Sequence, residues 1–309
     1  MRHAIFKALQ YKNFFPSFWK LSATNLPSSK FRQVFNSPFI FNLQRGEACR
    51  TILLQLCCVI FLMVYLSSHV HADEKILIAA ASDLNFAMNE ICCAFEKTNP
   101  SIDVEVTYGS SGNFFAQIKQ GAPYDIFFSA DSAYPARLEE EGFAVKGQRR
   151  PYALGRIVLW IPQKSVLNPQ KGLKIILESD MKKLAITNPK HAPYGKAAEE
   201  ALRYYGLWDK VQSKLVLGEN VSQTAQFVQA GAADAGIIAL SLAVSPKMAD
   251  EGNYWIIPSE SYNKLEQVYT VLQRGKDKSG AKTFLEFLQG EKGGKYLLIM
   301  ALFFRNSTQ

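Results

Sequence analysis

The chain has 309 residues, 48% of them hydrophobic, and a formal net charge of +8. That charge is local: residues 1–50 hold eight Lys/Arg against the single acid Glu47, and residues 51–72 hold no Lys, Arg, Asp or Glu. From Asp73 onward 27 basic residues face 26 acidic ones. The body of the chain is therefore nearly neutral and gives no electrostatic reason to bind nucleic acid or an anionic membrane.

Residues 52–66 form an apolar run, and S-S-H-V-H-A follows it. Val70 and Ala72 fit the small-residue rule for signal-peptidase cleavage before Asp73. Residues 1–72 thus read as a leader with a signal peptide, apolar core 52–66 and cleavage near 72/73. Residues 1–50 make it long, and either an over-extended gene start or a real extension fits. The apolar run is short for a retained membrane span of about 20 residues. Cys57 is a poor lipid-attachment site, because Leu54, Gln55 and Leu56 are not small enough. Three of the five cysteines leave with the leader; Cys92 and Cys93 stay. Neighbours on a helix point apart, so they are expected to be packing residues, without a disulfide framework or metal site.

In the mature chain strand and helix patterns alternate. Residues 75–84 (K-I-L-I-A-A-A-S-D-L) begin as an apolar strand and stop at Ser82. A helix over 84–97 follows, with Leu84, Met88, Ile91 and Phe95 on one face and Ser82 or Asp83 placed to cap it. A second unit repeats this: strand 104–108, the turn G-S-S-G at 109–112, and helix 113–119. Further strands are expected at 125–129, 157–161, 184–187, 214–217, 235–239 and 268–272. Further helices are expected at 133–141, 195–205, 222–230 and 280–289. Strands separated by helices imply a mainly parallel sheet. Residues 152–162 (Y-A-L-G-R-I-V-L-W-I-P) form a candidate crossover between two lobes, because the pattern shifts after Gly155 and a new strand begins.

The catalytic inventory is thin. His191 is the only histidine of the mature chain, and beside Pro193 it reads as a turn residue. There is no G-x-S-x-G elbow, no G-x-G-x-x-G, no phosphate-binding G-K-[ST] loop and no His/Cys cluster. Instead, two more segments look like the first two: N-P-K-H-A-P-Y-G at 188–195 and G-E-N-V-S-Q-T at 218–224. Each leads from a strand into a helix start, where free backbone N–H groups suit anions. One pair of such segments precedes the crossover and one pair follows it. Neutral donors on both sides of a cleft favour a small oxyanion.

Six segments in this order carry a resemblance: A-A-A-S-D-L, Y-G-S-S-G-N-F, G-A-P-Y-D-I-F-F-S-A-D, N-P-K-H-A-P-Y-G, G-E-N-V-S-Q-T and A-G-I-I-A-L-S. Together they closely resemble the periplasmic molybdate-binding proteins of ABC transporters, over roughly residues 75–289. The resemblance implies an α/β, two-lobe type II periplasmic binding fold, each lobe a mainly parallel sheet flanked by helices. The lobes would be 73–155 with 262–309, and 156–261. It implies capture of molybdate, and of tungstate, in the interlobe cleft, then delivery to a membrane permease driven by an ATPase. The protein would be periplasmic and monomeric, without a cofactor and without enzymatic activity. Another oxyanion of the same fold, such as sulfate or phosphate, is the alternative.

Carried over residue by residue, Ser82 and Ser111 match the family's ligand serines, with Ser110 as the neighbour that could be confused with Ser111. Tyr194 and Val221 match its backbone N–H donors. Molybdenum would be held as molybdate by these same residues, through its oxygens. Where some members add a tyrosine hydroxyl, this chain has Ala239. Asp83 is expected to point away from the anion, most simply as a helix cap, and Asp125 and Asp131 to be structural, capping or hinge-related. A Ser111→Ala change is expected to weaken binding with folding nearly intact. After Gly294 the apolar ending K-Y-L-L-I-M-A-L-F-F-R-N-S-T-Q departs from the family's usual helix and terminus.

Overall fold

The computed structural model describes residues 74–290. The leader with its apolar run, and the apolar ending, lie outside those residues. In chain order the strands are β1 (Glu74–Ala81), β2 (Ile102–Gly109), β3 (Ile126–Ser129), β4 (Arg150–Gly155) and β5 (Ile157–Pro162). They continue with β6 (Leu184–Thr187), β7 (Leu215–Gly218), β8 (Ala235–Ala239), β9 (Gly252–Ile256) and β10 (Leu265–Val271). The helices are α1 (Asn85–Thr98), α2 (Ser111–Lys119), α3 (Ala133–Glu140), α4 (Pro193–Tyr204), α5 (Trp208–Val211), α6 (Val221–Gln229), α7 (Leu240–Ala243) and α8 (Ser279–Gln289).

The strands form two five-stranded sheets, ordered β2-β1-β3-β10-β4 and β7-β6-β8-β5-β9. The sheets follow one plan. Three strands run parallel, a fourth is added antiparallel, and the edge strand pairs antiparallel to that fourth. Four strands in each sheet therefore point one way, and β10 or β5 points the other. The chain passes from the first sheet to the second through Arg156 and returns after β9. A sheet change within one residue needs an abrupt end to one ladder, which Gly155 allows: a Cβ there would lie 2.7 Å from the Tyr194 hydroxyl oxygen.

Burial explains why these segments are strands. Ile126, Phe127, Phe128 and Ser129 of β3 are all fully buried, as central strands covered on both faces must be. Helix α1 buries Met88, Ile91 and Phe95 at helical spacing, and Phe95 meets Phe284 and Phe287 of α8 edge-on at 5.1 and 5.5 Å. The two strands that the hydrophobic pattern does not reveal, β4 and β9, are both sheet edges. An edge position tolerates Pro151 and the half-exposed Asn253 and Tyr254, because one side of its ladder bonds nothing.

Asp125 ties the first sheet to α8. Its carboxylate accepts from Leu77 N–H, Arg274 Nη1 and Lys278 Nζ, each at 2.8 Å, and its backbone bonds Leu77 and Leu272. The side chain is fully buried. Asp131 in turn accepts from Ala133 N–H at 2.8 Å, at the start of α3. Removing a buried carboxylate that holds two cations and a strand N–H leaves donors unpaired. Asp125→Ala is expected to lower the unfolding free energy by about 3 kcal/mol in urea titrations.

Candidate functional site

The four sequence-predicted residues all stand in the first turn of a helical segment. Ser82 opens the 3₁₀ turn Ser82–Leu84 at the carboxyl end of β1. Ser111 is the first residue of α2, Tyr194 the second of α4 and Val221 the first of α6. Pro193 suits the first position of α4, where a helix needs no N–H. Asn220 caps α6 by accepting from Gln223 N–H at 3.0 Å. First-turn N–H groups have no acceptor inside their helix, so each of these starts offers donors. All four residues are at most 3% exposed.

Contacts between the two halves draw these starts together. Ser222, next to Val221, donates its N–H to Ser82 Oγ at 3.3 Å and its hydroxyl to Ser82 O at 2.7 Å. Ser241 donates its hydroxyl to the Asp83 carbonyl at 3.0 Å. On the other side, Ser110 Oγ lies 3.0 Å from His191 Nδ1, and Gly112 N–H donates to His191 O at 3.0 Å. Only glycine fits at 112, since a Cβ would come within 2.4 Å of that carbonyl oxygen. Ser111 Oγ accepts from Ala130 N–H at 2.9 Å. The Ser82 and Ser111 hydroxyls thus each accept a backbone N–H, and each keeps its own hydrogen to donate.

Asp83 behaves differently from the sequence expectation. Neither it nor Ser82 caps the helix with its side chain; the 3₁₀ turn leads directly into α1. The Asp83 carboxylate is buried and reaches across to the other half. Tyr194 donates its hydroxyl to Asp83 Oδ2 at 3.0 Å. Gln267 Nε2 lies 2.6 Å from the same oxygen and 2.9 Å from the Tyr194 hydroxyl. Burial pushes the Asp83 carboxyl up to about 6, against the pull of Gln267 and Tyr194. Burial and the neighbouring Asp83 charge likewise hold the Tyr194 phenol well above its usual value. Asp83 Oδ1 and Gln267 Oε1 are buried without a hydrogen-bond partner.

Several residues here escape sequence reasoning. His191, read as a turn residue, also bridges the halves: Nδ1 faces Ser110 and Nε2 lies 3.4 Å from Glu219. Ser222, Ser241 and Gln267 sit beside recognisable segments, but nothing in their spacing announces a partner more than 130 residues away. Ala239 ends β8 fully buried. Cys92 is buried and Cys93 exposed, both free. Among the described residues no group of His, Cys, Asp and Glu could hold a metal ion, and no helix is long and apolar enough to cross a membrane.

Residues 76–297 match the family model of the bacterial extracellular solute-binding proteins. The chain is 35% identical over 218 residues to the molybdate-binding protein ModA of Azotobacter vinelandii, covering 71% of this chain and 85% of that one. It is also 35% identical over 219 residues to ModA of Rhodobacter capsulatus, covering 71% and 84%. The solved structure of the periplasmic molybdate-binding protein of Azotobacter vinelandii superposes with a TM-score of 0.67 at 31% identity, covering 72% of this chain and 96% of that one.

The buried Asp83 carboxyl makes a signed prediction. Its folded-state value, raised from 3.8 to about 6, favours the protonated form. Its contribution to stability is therefore fully present below about pH 4 and is lost as pH rises through about 6. Asp83→Asn cannot titrate. In urea titrations its unfolding free energy should gain on the wild type by about 2 kcal/mol between pH 4 and 6.5. A gap that stays constant with pH would mean that water reaches the carboxylate.

Proposed function

Because the chain belongs to the bacterial extracellular solute-binding family, and within it to the molybdate-binding proteins of ABC transporters, we propose that it captures molybdate, and tungstate, between its two lobes. Membership makes it a type II periplasmic binding protein and not an enzyme. The observation that carries the ligand reading is the convergence of helix starts at Ser82, Ser111, Tyr194 and Val221. Two come from the first sheet's half and two from the second's, so an anion between them would be held only when the lobes meet. We take the lobes as 73–155 with 262–309, and 156–261; sheet membership of the strands supports that division.

The donors in this reading are serine hydroxyls and backbone N–H groups, with helix-start polarity in place of a basic side chain. Hydrogen bonds to a charged partner contribute about 1.5–3 kcal/mol each, against which dehydration and ordering costs stand. Molybdenum would be reached only through its oxygens, not by coordination. Sulfate would be rejected on size. Phosphate carries a proton at neutral pH and needs an acceptor, whereas the four helix starts of this reading present hydroxyl and N–H donors to the anion. The loaded protein, extracytoplasmic and monomeric, would then pass the anion to a permease with its ATPase.

Thermal melting of the purified protein tests this. An anion at about 100 times its dissociation constant adds about 2.7 kcal/mol to the native state. Molybdate and tungstate should raise the melting temperature by several degrees, and sulfate and phosphate should leave it unchanged. No shift with any of the four would sink the reading. Ser111→Ala should weaken molybdate binding at least tenfold in calorimetry, about 1.4 kcal/mol. The bond from Ala130 N–H to Ser111 Oγ, which the sequence did not announce, means that this substitution should also lower the unfolding free energy, by about 1–3 kcal/mol, because it strips a buried N–H of its acceptor.

A further inference from the structure

Asp83, Tyr194 and Gln267 come from three elements and meet in one buried cluster. Asp83 follows β1, Gln267 lies on β10 of the same sheet, and Tyr194 lies on α4 of the other half. The surrounding backbone makes room for them. The β10–β4 ladder shifts register between Gln267 and Val268, and such an irregularity re-aims a side chain. At Gly155 a Cβ would fall 2.7 Å from the Tyr194 hydroxyl and 3.2 Å from Gln267 Nε2, so a larger residue would displace the cluster.

Two opposing features follow from the chemistry of the three groups. Two of their bonds, Tyr194 to Asp83 and Gln267 to Tyr194, link the halves and need both in place, while the Gln267–Asp83 bond lies within the first half. Yet the same contact buries two acceptor oxygens, Asp83 Oδ1 and Gln267 Oε1, that no donor meets. Separation would return both to water. An unsatisfied buried acceptor costs about as much as a hydrogen bond gains, so the cluster supports closure while limiting its depth.

We propose that Asp83, Tyr194 and Gln267 form a self-limiting closure latch, whose bonds join the lobes and whose unpartnered oxygens keep the closed form from persisting without an anion. The latch is coupled to the ligand through Tyr194 and Asp83. Tyr194 presents its backbone N–H at the start of α4 and its hydroxyl to the latch, and Asp83 directly follows Ser82. The three side chains are positioning residues: they set how readily the lobes close. The coupling rests on the anion reading above; the latch itself does not.

Two conservative variants should act in opposite directions. Asp83→Asn replaces the charged carboxylate by a neutral amide, so the burial cost of the charge is removed while the remaining oxygen keeps an acceptor for Tyr194 and Gln267. Tyr194→Phe removes the hydroxyl and leaves the backbone N–H. Small-angle scattering of the ligand-free protein reads closure, and titration with sodium molybdate reads affinity. Asp83→Asn should scatter as a more compact particle without anion and bind molybdate about tenfold tighter. Tyr194→Phe should stay as open as the wild type without anion and bind about tenfold weaker, mainly through faster release. A merely structural cluster would weaken in both variants. Scattering identical to the wild type in ligand-free Asp83→Asn, or weaker binding by it, overturns the latch. If the wild type binds no molybdate, the ligand reading fails on its own, and the ligand-free scattering of Asp83→Asn still decides the latch.

Discussion

A carboxylate buried where the two halves meet is the constraint on which this molecule turns. Asp83 follows Ser82, and the turn after β1 directs it inward, where water cannot solvate it. A buried carboxylate requires donors. Neither the 3₁₀ turn that holds it nor α1 takes its side chain as a cap. Its donors come from Gln267, on the strand that returns from the second half, and from Tyr194, in the second half itself. The local arrangement serves that meeting: the glycine at 155, the register shift in β10 and the entry of α4 through Pro193.

The two halves reach the interface by the same construction. In each sheet three parallel strands deliver βα turns to one end, where ligands of open α/β sheets gather. The reversed strand and its edge partner supply the crossings between halves, β4 to β5 and β9 to β10. The far end is tied down instead. Asp125 binds Leu77 of β1 together with Arg274 and Lys278 ahead of α8, so the first half moves as a unit. What can change is the set of hydrogen bonds across the middle: two from Ser222 to Ser82, one from Ser241 to Asp83 and one from Gly112 to His191.

The sequence displayed what depends on neighbours in sequence and hid what depends on neighbours in space. The eight strands found by hydrophobic pattern are interior strands together with the outer β2 and β7, whose apolar residues alternate or run on. Strands β4 and β9 stayed invisible because edge strands with polar or proline residues lack such a pattern. The four helix starts were legible because a strand, a small polar turn and a helix leave a local signature. The partners of Asp83 were not: helix capping is the local use of an aspartate at that spacing, and no local rule points to Gln267. Ser111 shows a mixed case, since its place at the start of α2 was readable and its bond to Ala130 N–H was not.

Ala239 gives the last step. Where a tyrosine would have offered a flexible hydroxyl, this chain ends β8 with a buried methyl group, and nearby Ser241 spends its hydroxyl on the Asp83 carbonyl. In the anion reading proposed above, the donors left are backbone N–H groups and two serine hydroxyls, each hydroxyl oriented by the N–H it accepts. Their directions are set by helix starts and strand ends, not by side-chain rotamers. Such a cage would adapt little to a smaller or protonated anion, and its selectivity would then reside in how far the lobes close. Tyr194, whose backbone opens α4 and whose hydroxyl meets Asp83, is the residue through which ligand size and closure would both be read.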